Sequence, residues 1–109
     1  MKKTILIDLD GVLNTYTGDF NKDLIPSIKE GAKEFLEKLA ENFTIKIFTT
    51  RNKLLTAKWL IENDIDTFIE DITNTKDLAW VYIDDRCITF TGDFLTTINQ
   101  IKEFKPYYE

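Results

Sequence analysis

The stretch TILIDLDGVL, residues 4–13, joins a β-branched apolar run to two aspartates that alternate with leucine and precede a glycine. KTILID, residues 3–8, is short and almost continuously apolar, the pattern of a strand covered on both faces of a parallel sheet. Asp8 and Asp10 then fall at the carboxyl end of that strand, the edge at which open α/β sheets take their ligands.

Outward from this strand the pattern alternates. NTYTGDFNKDLI, residues 14–25, is rich in turn formers and reads as a flap. From Pro26 onward, Ile28, Ala32, Phe35, Leu36 and Leu39 recur at helical spacing and predict a helix started by Pro26 or Ser27. FTIKIFTT, residues 43–50, reads as a second strand, and NKLLTAKWLIEND, residues 52–64, as a second helix with Leu55, Trp59 and Leu60 inward. DTFIED, residues 66–71, is a weaker third strand, whereas AWVYIDD, residues 79–85, is a strong one that again runs into paired aspartates. A short CITF, a closing helix from about Asp93 to Phe104, and KPYYE as a tail or packing strap complete the chain. This order predicts a single α/β domain over residues 1–109, a three-layer Rossmann-like fold with a mainly parallel sheet.

Composition limits the chemistry. The 109 residues include no histidine, which removes imidazole acid/base catalysis, histidine triads and histidine zinc sites. Cys87 is the single cysteine, so an internal disulfide is excluded; it reads as a small core residue in a reducing, cytoplasmic setting. The first apolar stretch ends at Asp8, too short for a signal-peptide core or a membrane span, so no membrane association is expected. A formal charge of −5 repels phosphate backbones and anionic lipid, so a phosphate ligand has to be captured locally.

The strand order brings Asp8, Asp10, the Thr49–Thr50 pair, Asp84 and Asp85 to one sheet edge. Crowding four carboxylates there costs Coulomb repulsion that a cation relieves, and an oxygen-only donor set favours Mg²⁺. With a phosphate ester as substrate, Asp8 would attack phosphorus while Asp10 serves as acid and then base. Gly11 lets the backbone turn past the phosphate, Thr49 supplies a hydroxyl, and Lys76 offsets charge. Thr50 either caps the following helix or meets substrate, Arg51 either forms an ion pair or binds a second phosphate, and Tyr16 in the flap is a candidate substrate contact.

DLDGV, IFTT, NTKD and YIDD, in this order over nearly the whole chain, resemble the four motifs of haloacid dehalogenase superfamily phosphatases of a small capless type. The resemblance implies Asp8 as the phosphoaspartate nucleophile, Asp10 as acid/base and carbonyl metal ligand, Thr49 as phosphate donor and Lys76 as charge neutraliser. It further implies Mg²⁺ held by Asp8, Asp10 and Asp85, with Asp84 acting through water. VYIDDR is also similar to the final motif of the deoxyribonucleotidase branch. The expected activity is Mg²⁺-dependent phosphomonoester hydrolysis. The intervals between motifs hold no cap domain, so a nucleotide, an oligonucleotide end or another extended phosphate is expected as substrate in preference to small esters, unless a homo-oligomer supplies the lid. Two rival readings are a receiver-type phosphoacceptor domain and a non-catalytic binding module; a receiver places its acidic pair first and its phosphoacceptor later, the reverse of this order.

Overall fold

The computed structural model describes residues 2–109. Four strands, β1 (Lys3–Asp8), β2 (Phe43–Phe48), β3 (Asp71–Thr73) and β4 (Val81–Ile83), form one sheet in the order β3-β2-β1-β4, with every pairing parallel. Three helices accompany them: α1 (Ala32–Ala40), α2 (Lys53–Glu62) and α3 (Phe94–Glu103). The result is an α/β, Rossmann-like architecture without a cap domain, as the sequence predicts. Because β1, β2 and β3 advance in one direction, right-handed crossovers set α1 and α2 on the same face. That face holds the core, where Ile5, Ile7, Ile45 and Ile47 meet Leu36 of α1 and Trp59 and Leu60 of α2.

The chain then jumps from β3 at one edge to β4 at the other, so the direction of winding reverses beside β1. Asp8, the last residue of β1, therefore stands at the crevice where such sheets bind ligands. Residues 74–80 make this crossing without a helix. Lys46 pairs with Asp77 at 3.6 Å and the Tyr82 hydroxyl donates to the Asp77 carbonyl at 2.9 Å, so the loop is held to the second sheet face.

Three expectations need correction. The first helix begins at Ala32, six residues after Pro26, because residues 27–29 are held extended against the flap. Lys29 N donates to Leu13 O at 2.8 Å and Thr15 N to Ser27 O at 2.9 Å, so Ile28 reaches the core from an antiparallel bridge with Asn14. Gly31, at φ 88°, then turns the chain into the helix. Within DTFIED, Asp66–Phe68 form a 3₁₀ turn and the strand follows at Asp71–Thr73, where Ile72 can pair with Ile47. CITF carries no regular structure, and Cys87 within it is exposed rather than in the core.

The closing helix occupies its expected place, with Asp93 accepting from Thr96 N at 3.0 Å as its N-cap. It buries no residue, however: Phe94 is 77% exposed and Ile101 60%. The radius of gyration, 14.8 Å, reflects this stand-off, since a compact chain of this length has one of about 13 Å.

Candidate functional site

The turn after β1 is built by its apolar residues. Leu9 and Leu13 are buried, with Leu13 N donating to Leu9 O at 3.0 Å, so residues 9–13 wrap tightly against the core. Gly11 adopts φ 84°, and a Cβ there would run into the Asp85 carboxylate and lie 3.1 Å from the Tyr108 ring. Close approach of two loops, more than flexibility, demands glycine at this point.

Asp8, Asp84 and Asp85 come together, each offering an oxygen within 4.8 Å of the others. Burial, a hydrogen bond with Asp85 and the negative charges of Asp84, Asp85 and Asp10 push the Asp8 carboxyl up to about 8. Burial works in the same direction on Asp85, but hydrogen bonds from Tyr108, Asp8 and Asp84 outweigh it and hold Asp85 below the usual carboxylate range. Asp84 Oδ1 accepts from Arg86 N at 3.0 Å, which fixes the turn after β4.

The Asp10 side chain lies outside this trio, a departure from the expected group of four carboxylates. Arg51 Nε donates to its two oxygens at 2.9 and 3.2 Å, and Asn14 Nδ2 donates to Oδ1 at 3.0 Å. Arg51 is fully covered: its Nη1 donates to Asn21 O at 2.6 Å and its guanidinium lies 4.5 Å from the Phe20 ring. Ion pairing is thus the role Arg51 fills, and the flap residues Asn21 and Phe20 seal it. Asn14 is wholly buried and accepts from Gly11 N at 3.1 Å and Tyr16 N at 3.0 Å, tying the turn to the flap and to Asp10.

Thr49 follows β2 and is buried, its Oγ1 accepting from Arg51 N at 3.1 Å, while Thr50 is exposed and does not cap α2: Asn52 does, its Oδ1 accepting from Leu55 N at 2.9 Å. Lys76 stands over the Tyr82 ring at 4.8 Å. With Asp8, Asp84, Leu6 and Phe48 it lines an open depression of about 310 Å³ on the second sheet face. Lys76 therefore lines the same depression as Asp8 and Asp84, placed there by the helix-free crossing loop.

The sequence reading missed Asn14, whose one signal was a short amide four residues after Asp10, and the two tyrosines of KPYYE. Tyr107 donates its hydroxyl to Gly11 O and Tyr108 to Asp85 Oδ2, both at 2.7 Å. Desolvation and the Asp85 carboxylate push the Tyr108 phenol up to about 12, so it remains a donor at neutral pH. Tyr16 meets the Tyr108 ring edge-on at 6.1 Å.

No family model and no curated protein matches this sequence. Among solved structures, the fold is similar to that of a conserved protein from Bacteroides thetaiotaomicron, with a TM-score of 0.60 over 98% of this chain and 95% of that one. The two sequences are 20% identical, so the likeness concerns the fold alone.

Proposed function

We propose that the protein is a divalent-metal-dependent phosphomonoester hydrolase of the haloacid dehalogenase type that works through an aspartyl-phosphate on Asp8. The observation that carries this reading is the meeting of Asp8, Asp84 and Asp85 at the switch point of a parallel sheet, where burial and the neighbouring negative charges raise the Asp8 carboxyl above its ordinary range. Three carboxylates so crowded fit a hard cation, and an oxygen-only set suits Mg²⁺. Mg²⁺ bound there would offset their charge, favour ionised Asp8 and polarise a phosphoryl group.

The chain's own groups then have defined work. An Asp8 oxygen attacks phosphorus, the P–O ester bond breaks, and the leaving oxygen takes a proton from Asp10. Water, losing its proton to Asp10, next cleaves the aspartyl-phosphate and restores Asp8 while releasing phosphate. Both Asp10 oxygens accept from Arg51 and one also from Asn14, so either proton transfer requires an oxygen of Asp10 to turn from Arg51 toward the site. The Thr49 hydroxyl and the Lys76 ammonium hold the phosphoryl oxygens. Arg51, being covered and paired, acts through Asp10 in this scheme rather than on a second phosphate. The open depression gives little enclosure to a small ester, which favours a nucleotide or a terminal phosphate of an oligonucleotide.

Phosphate release from a panel of mononucleotides, phosphorylated oligonucleotides and sugar phosphates tests the reading, with Mg²⁺, with Ca²⁺ and after exhaustive chelation. Turnover is expected with Mg²⁺, poorly with Ca²⁺ and not after chelation. Full activity without metal would refute the mechanism, and a stable phospho-Asp8 with no turnover would favour the receiver-type reading.

A further inference from the structure

The last five residues return from α3 to the acidic edge and fasten there. Pro106 is buried. Tyr107 holds the Gly11 carbonyl across 96 positions of sequence, and Tyr108 holds Asp85 Oδ2 across 23. The Tyr108 ring is itself set by the edge of Tyr16 and by close approach to Gly11, at which any side chain would collide. The loop bearing Asp85 has little other support: β4 ends at Ile83, Asp84 and Arg86 are exposed, and α3 buries nothing that would brace it. A carboxylate on such a loop swings freely unless one oxygen is tied.

We infer that Tyr108 is a positioning residue that orients the Asp85 carboxylate toward Asp8 and Asp84, so that the C-terminal strap completes the cation site. This rests on the metal-dependent reading given above. Tyr107 plays a different part: it fastens the strap to the turn after β1 without touching an acidic side chain. A hydrogen bond to a ligating carboxylate typically changes metal affinity by 10–100-fold when removed. Tyr108 reaches Asp85 through one bond from a ring already packed, so the lower end of that range applies.

The test is calorimetric titration of Mg²⁺ into metal-free wild-type protein, Tyr108→Phe and Tyr107→Phe, with the thermal midpoint of each metal-free protein as a check on the fold. Tyr108→Phe keeps the ring against Tyr16 and loses the hydroxyl alone. It is expected to weaken Mg²⁺ about tenfold with an unchanged metal-free midpoint, and kcat should recover at saturating Mg²⁺ while KM for the ester stays constant. Tyr107→Phe should leave Mg²⁺ affinity within about twofold of wild type, since it has no bond to the acidic trio. Equal Mg²⁺ affinity in wild type and Tyr108→Phe would overturn the inference while leaving the proposed hydrolase intact. Equal weakening by both variants would also overturn it, by showing that docking of the strap matters and the Asp85 bond does not. Absence of Mg²⁺ binding by the wild-type protein would remove the metal-dependent reading, and this inference with it.

Discussion

The two faces of the sheet are covered by different means. On one, α1 and α2 bury Ile5, Ile7, Ile45 and Ile47 under regular, amphipathic helices. On the other, Leu6, Phe48 and Tyr82 lie beneath a crossing loop, and α3 leaves its apolar residues exposed. The helical face supplies stability, and the loop-covered face leaves room at the C-terminal edge for polar groups to converge. Lys76 arrives on the crossing loop, Asp84 and Asp85 after a three-residue edge strand, and Tyr107 and Tyr108 on the returning strap. Segments that need not pack a helix are free to deliver side chains to β1.

The largest effect expected from this division lies at the polar edge. Asp10→Asn keeps the size of the side chain but removes its capacity to take and give a proton, so the rate should fall roughly 10²–10⁴-fold, accompanied by a lower melting midpoint because the covered Arg51 guanidinium loses its counter-charge. Steady-state kinetics on the preferred ester, with a melting curve, checks this. A rate within threefold of wild type would remove Asp10 from the chemistry.

The helical face is probed by Leu36→Ala. Leu36 is fully buried against the sheet, and its truncation should cost about 2–5 kcal/mol in urea unfolding through lost burial and a residual cavity. A loss under about 1 kcal/mol would mean that this face is not the stabilising one.

Asp8 links the two faces through pH. Its folded value of about 8 lies above the unfolded 3.8, so the metal-free folded state binds the extra proton between these values. Stability from this group is complete below about pH 4 and declines as pH rises toward 8. Asp64, Asp85 and Asp93, all lowered from 3.8, add dependence only below that range. Thermal midpoints of metal-free protein should therefore fall from pH 4 to pH 8, and Asp8→Asn should lack this slope. An unchanged slope in the variant would show that Asp8 is not the buried acid.

Smallest of all should be the effect of Ile98→Ala on α3, within about 0.5 kcal/mol, because the side chain is half exposed and no part of α3 is buried. A cost above about 2 kcal/mol would reveal that α3 covers the second face in solution, within one chain or between two.

Much of this organisation was legible in the sequence because local pattern and tertiary role agreed. β1 spans the residues its apolar run marks, Asp93 caps the helix that follows it, and the DxD and DD pairs follow strands that pair side by side, whereas α2 is capped by Asn52 and not by Thr50. Illegible features depended on distant partners. Ile28 has helical spacing yet packs from an extended bridge to Asn14, a contact that no periodicity encodes. The α3 pattern is amphipathic, but amphipathicity specifies a face and not its cover. Asp10 looked like a member of the acidic group, and a buried Arg51 drew its side chain aside. KPYYE could be read as a packing strap, but the partner of Tyr108 could not, since it is 23 residues away and the two meet only where two loops and the strap converge.

The central claim, that Asp8 is a nucleophile rather than a structural carboxylate, is tested most directly by trapping the reaction. Wild-type protein mixed with Mg²⁺ and its preferred phosphate ester, then quenched in acid and mapped by peptide mass spectrometry, should carry one phosphoryl group on Asp8, absent in Asp8→Asn along with turnover. Phosphoryl label on any other residue, or turnover persisting in Asp8→Asn, would contradict the account.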